Sequence, residues 1–84
     1  MSHDPKPTHE VIILVNENPV KMVAHKANGA EIKAAAIAQG VQIQQDFLLS
    51  EELGAQRSRV VGDVDEVPLH KDQRFIAVAP DDNS

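Results

Sequence analysis

Asn28-Gly29-Ala30-Glu31-Ile32-Lys33-Ala34-Ala35-Ala36-Ile37-Ala38-Gln39-Gly40 carries the signals for both ends of a helix. Asn28 followed three residues later by Glu31 is a capping-box pattern. The Asn side chain accepts from an orphan N–H of the first turn, and the Glu side chain reaches back. Ala30 to Gln39 is rich in alanine, the best helix former, and Gly40 stands where a left-handed C′ residue belongs. At about 100° per residue, Ala30, Ala34, Ile37 and Val41 share one face, with Ile32 and Ala36 on a neighbouring one. The spacing predicts a helix over 30–39 whose apolar side is mostly small side chains, able to lie close against a sheet.

Upstream, Glu10-Val11-Ile12-Ile13-Leu14-Val15 is a β-branched run too short for a helix. Asn16-Glu17-Asn18-Pro19 is turn chemistry, since Asn tolerates positive φ and Pro presets φ near about −65°. Val20-Lys21-Met22-Val23-Ala24 then reads as the second strand of a hairpin. Downstream, Phe47-Leu48-Leu49 reads as a short strand. A Glu51-Glu52 turn and Gly54 follow, then Arg57-Ser58-Arg59-Val60-Val61 as an edge strand with charged positions. Gln73-Arg74-Phe75-Ile76-Ala77-Val78-Ala79 is the last strand. The order β-β-α-β-β-β is that of an α+β domain, with one sheet and one crossover helix in two layers.

The chain has 84 residues, enough for one domain and one modest core. With 42% hydrophobic residues it is globular in composition. Eight basic against thirteen acidic residues leave a net charge of −5, which argues against nucleic-acid binding along a phosphate backbone. The only aromatic rings, Phe47 and Phe75, are too few for a base-stacking platform. The absence of cysteine removes disulfides, thiolate metal sites and cysteine nucleophiles. The longest apolar run, Val11 to Val15, is far short of the roughly 20 residues of a membrane span. Residues 1–9 read as a disordered leader without signal-peptide character, so no membrane and a cytoplasmic location are expected. Residues 10–80 form the expected domain, and 81–84 an acidic C-terminal tail.

Catalytic and metal-binding readings find little to stand on. His3, His9, His25 and His70 show no i, i+4 pair and read as scattered surface residues. Asp63, Asp65 and Glu66 lack the glycine and terminal Glu of a calcium loop and read as a solvated turn. Ser50 and Ser58 have no nucleophile elbow around them. Gly29, Gly40, Gly54 and Gly62 never cluster into a phosphate cradle. No enzyme activity and no cofactor are expected. A small enzyme or metal protein is the reading these spacings disfavour.

Three segments carry a resemblance. Ile13-Leu14-Val15-Asn16 runs into the first turn, Asn28-Gly29-Ala30-Glu31-Ile32-Lys33 opens the helix, and Val67-Pro68-Leu69 leads to Arg74-Phe75. In order and spacing, over roughly residues 10 to 80, the chain resembles bacterial ubiquitin-like proteins of the multiubiquitin type. The resemblance implies a ubiquitin-like β-grasp: a mixed four- to five-stranded sheet packed on one helix, with the first and last strands parallel. It also implies a protein modifier or modifier-like domain. The partners would be proteins, among them activating, conjugating or deconjugating enzymes. Ubiquitin reacts through a carboxylate that follows two glycines. Here the sequence ends Pro80-Asp81-Asp82-Asn83-Ser84, with no glycine beyond Gly62. Conjugation through Asp81, Asp82, Asn83 and Ser84 would therefore need an enzyme that accepts or trims this tail. The alternative is an interaction module of the same fold that is never conjugated.

Strand alternation supplies candidate binding residues. Val11, Ile13 and Val15 share one face, Ile12 and Leu14 the other. Phe75 and Ala77 share a face opposite Ile76 and Val78. With Phe75 and Phe47 towards the helix, Leu48 turns outward. One helix covers one face of a sheet. The resemblance implies that the first, third and last strands are neighbours, and Ile12, Leu14, Leu48, Ile76 and Val78 would then form one exposed apolar patch, which would recruit a protein or pair the chain into a weak dimer.

Overall fold

The computed structural model describes residues 10–80. Seven strands and one helix follow in the order β1 (Glu10–Val15), β2 (Asn18–Val23), β3 (Lys26–Asn28), α1 (Gly29–Ala38), β4 (Leu48–Gly54), β5 (Arg57–Val61), β6 (Glu66–Pro68) and β7 (Arg74–Val78). The expected leader 1–9 and tail 81–84 lie outside the described residues. The fold is α+β, with a mixed five-stranded sheet ordered β2-β1-β7-β4-β5. Its central pair, β1 with β7, is parallel, and every other pair in it is antiparallel. Antiparallel β3 and β6 form a second, two-stranded sheet. Among the described residues no helix is long and apolar enough to cross a membrane.

The capping box at the helix start is complete. Glu31 N–H donates to Asn28 Oδ1 at 2.8 Å, and Asn28 N–H donates to Glu31 Oε1 at 2.9 Å. Gly40 takes φ +97° just past the helix end, as the glycine predicts. The helix face differs from expectation: α1 buries Gly29, Ile32, Lys33 and Ala36, while Ala34 and Ile37 face solvent. These four follow the three-and-four spacing of one stripe. Lys33 belongs to it because its ammonium is held by two partners, 2.8 Å from Asp63 Oδ1 and donating to the Phe47 carbonyl at 2.8 Å. Gly29 starts the helix because the chain passes so close there. A Cβ at this position would meet the Gly62 carbonyl oxygen and come within 2.8 Å of that of Val61.

Several strand boundaries also differ from the sequence reading. Only Asn16 and Glu17 form the first turn, both at positive φ (52° and 69°), and Asn18 and Pro19 already pair in β2. Two positive-φ residues make a hairpin turn whose twist matches its strands. Glu51 and Glu52 are not a turn but the middle of β4, and the turn is Ala55-Gln56, again with both φ positive. A buried carboxylate is tolerated there because Glu51 accepts from Arg59 Nη2 at 2.7 Å and from Gln73 Nε2 at 2.9 Å. The short strands β3 and β6, absent from the sequence reading, bury Ala27 and Val67 against the main core. Asp63, Asp65 and Glu66 are exposed but engaged: Asp63 with Lys33, Asp65 accepting from Gly62 N–H at 2.9 Å, and Glu66 3.4 Å from Lys26.

The inner face of the sheet carries Val11, Ile13, Val15, Val20, Met22, Leu49, Val61, Phe75 and Ala77, packed with Ile32 and Ala36 of the helix in one core. Asn16 ties the two halves of the chain together beyond the end of β1. Its backbone N–H donates to Phe75 O at 2.9 Å. Its side chain donates to Ala77 O at 3.0 Å and accepts from Ala77 N–H at 2.8 Å, extending the parallel ladder by one rung. Asn16→Ala removes two hydrogen bonds and leaves a β-carbon at positive φ, an expected loss of about 2–3 kcal/mol. Asn16→Gly relieves only the backbone part, an expected recovery of about 1 kcal/mol. Urea unfolding of the two variants against wild type measures both.

Candidate protein-binding face

The opposite face of the five-stranded sheet has neither helix nor second sheet against it among the described residues. Alternation along each strand decides what it displays, and the pairing register decides which of those side chains are neighbours. Leu48 (55% exposed) lies directly across from Val78 (51%). One pair along, half-buried Ile76 lies across from Ser50, and Ser50 across from Val60 on the other side. Leu48, Val78, Ile76 and Val60 thus form one cluster spanning β7, β4 and β5.

Ile12 and Leu14 stand apart from that cluster. Leu14, half-buried, pairs with Pro19 on β2 and with Arg74 on β7, and Arg74 in turn pairs with Glu52. Leu14 therefore reaches Ile76 only on the diagonal. Ile12 (44% exposed) pairs with Lys21, and its carbonyl accepts from Asp72 N–H at 3.1 Å. It opens onto a separate groove of about 580 Å³, lined also by Leu69, His70 and Lys71. The five residues expected from alternation lie on one face but form two groups, with Arg74 and Glu52 between them. Asp81, Asp82, Asn83 and Ser84 lie outside the described residues.

Val60 belongs to the cluster and was absent from the sequence reading, which took β5 as an edge strand with charged positions. Its neighbour supplied the missing signal: with Val61 buried at 2%, alternation forces Val60 outward, where it is 71% exposed. Leu48 and Val60 also border a groove of about 420 Å³ that runs towards half-buried Phe47 and Lys33. Charges of both signs rim the face, with Lys21 3.9 Å from Glu10 and Arg74 opposite Glu52. Such exposed pairs contribute little to stability, so their arrangement bears on which partners approach. The chemistry on display is an apolar centre and a charged rim, with no group of three or more His, Cys, Asp or Glu side chains placed to hold a metal among the described residues.

Comparison with known protein families, curated proteins and solved structures finds no match to this chain.

Adjacent valines provide a direct test of the two faces. Val60→Lys is expected to change stability by no more than about 0.5 kcal/mol in urea unfolding. Val61→Lys buries an unpaired ammonium in the core and is expected to unfold the domain or cost more than about 3 kcal/mol.

Proposed function

We propose that this chain is a ubiquitin-like β-grasp domain, a protein modifier or modifier-like module that works through protein contacts and not through catalysis. One helix on one face of a mixed sheet, with parallel first and last strands at its centre, is compatible with that fold. The observation that carries the functional reading is the exposed cluster of Leu48, Val60, Ile76 and Val78 on the face that α1 leaves open. Burying large apolar side chains against a partner is the strongest contribution such a surface can make to binding. A soluble domain gains nothing for its own fold by exposing four of them together. The activating, conjugating or deconjugating enzymes implied by the resemblance are the first partners to try. Ile12 and Leu14, set apart by the Arg74–Glu52 pair, lie at the margin of such a contact.

Leu48→Asp tests the reading. The substitution removes an apolar side chain from the centre of the cluster and none from the core. Partner binding is expected to weaken by about 1–3 kcal/mol, roughly fivefold to 150-fold in Kd, with the folded amide spectrum retained. Unchanged affinity for every partner recovered with wild type would contradict it, as would loss of folding, which would place Leu48 in the core.

A further inference from the structure

The two edges of the sheet are finished differently. In a two-residue hairpin the residues flanking the turn bond to each other, so backbone groups then alternate towards and away from the partner strand. The pair Val15 and Asn18 flanks the first turn, which directs Pro19, Lys21 and Val23 of β2 outward. Pro19 has no N–H to offer. Lys21 is taken: its N–H donates to Gln39 Oε1 at 2.8 Å, and its carbonyl accepts from Gln39 Nε2 at 2.9 Å. The Gln39 side-chain amide thus occupies the place of a next strand at Lys21.

At the other edge the pair Gly54 and Arg57 flanks the Ala55-Gln56 turn. The same alternation directs the N–H and carbonyl groups of Ser58 and Val60 away from β4. No hydrogen bond from a described residue reaches them, and the side chains from Arg57 to Val60 are all exposed. An edge strand left in this condition is a template for another strand. Its side chains restrict which one. Arg57 and Arg59 lie on the side of the sheet that faces the core, and Ser58 and Val60 on the outer side. Arg59 is paired with Glu51, and Arg57 has no ion-pair partner among the described residues. With Arg59 engaged by Glu51, Arg57 is the unpaired cation that this edge offers an incoming strand.

We propose that the free edge of β5 accepts an extended segment of a partner protein, in which acidic residues alternate with apolar or hydroxyl-bearing ones. The acidic residues would lie beside Arg57 and Arg59, and the alternate residues beside Ser58 and Val60. A second copy of this chain fits poorly, because antiparallel pairing of β5 with itself centred on Ser58 or Arg59 sets arginine against arginine. The inference stands apart from the outer-face reading, since the added strand is held by backbone groups. It would enlarge the same surface through Val60.

The test is an NMR titration of the isotope-labelled full chain with a short, end-blocked peptide of alternating Glu and Val. The largest amide shifts are expected at Ser58 and Val60, with binding weakened severalfold by high salt. Ser58→Pro removes one outward N–H without touching the bonds to β4 and is expected to weaken binding at least about tenfold. Leu48→Asp is expected to leave it unchanged, which separates this site from the outer face. Should Ser58→Pro fail to fold, a peptide N-methylated at alternate residues makes the same test from the other side and is expected to lose binding equally. Equal binding by Ser58→Pro or by the N-methylated peptide would overturn the proposal. Shifts confined to β2 or to Leu48, Ile76 and Val78 would overturn it too, as would broadening of β5 signals with protein concentration alone, or no binding at all.

Discussion

One ten-residue helix covers one face of this five-stranded sheet and leaves the other open. Nearly every feature of the chain follows from that constraint. The inner face must hold the entire core, so Ile13, Val15, Val20, Ile32, Leu49 and Phe75 are shielded almost completely. The two buried charged groups on this side are each matched: Lys33 by Asp63 and the Phe47 carbonyl, Glu51 by Arg59 and Gln73. On the outer face no such demand applies, and the same strands display Leu48, Val60, Ile76 and Val78. The site is what the architecture leaves over, and strand alternation makes it inseparable from the core beneath.

Closing the sheet brings the start and end of the described chain together at β1 and β7, a pairing of high sequence separation. Such contacts are costly to form and need local help. Two tight hairpins supply part of it by fixing β1 against β2 and β4 against β5. Asn16 supplies the rest, since one residue both turns the first hairpin and bonds Ala77 sixty-one positions later. A turn residue with that double duty links the hairpin's geometry to the alignment of β7, and through β7 to the spacing of Ile76 and Val78 on the outer face.

Much of this was legible in the residues. The capping box, the glycine stop, the β-branched run at Glu10–Val15 and the in-out parity of β1 and β7 all depend on neighbours in sequence or on strict alternation, whereas the parallel pairing of first and last strands was implied only by the family resemblance. The misreadings share a cause, which is long-range compensation. Glu51-Glu52 looks like a turn until Arg59 and Gln73 are known to meet the buried carboxylate. Lys33, left out of both apolar helix faces, joins the buried stripe because Asp63 arrives from the loop before β6. β3 and β6 are three residues each and have no pattern of their own, because each is a strand only by virtue of the other. The division of the outer residues into two groups depends on register, which sets Arg74 beside Leu14 and which composition does not reveal.

Face and edge meet at Val60, so a partner engaging one would lie close to the other. The outer-face reading requires that this face be open to water in the free protein. Paramagnetic relaxation by an inert soluble probe, read on the methyl groups of the full chain, measures this most directly. Strong relaxation is expected for Leu48, Val60 and Val78, with intermediate values at Ile76 and almost none at Ile13, Leu49 and Val61. Protection of Leu48, Val60 and Val78 to the level of Leu49 would mean that another part of the chain or a second copy already covers the face, and would contradict the account.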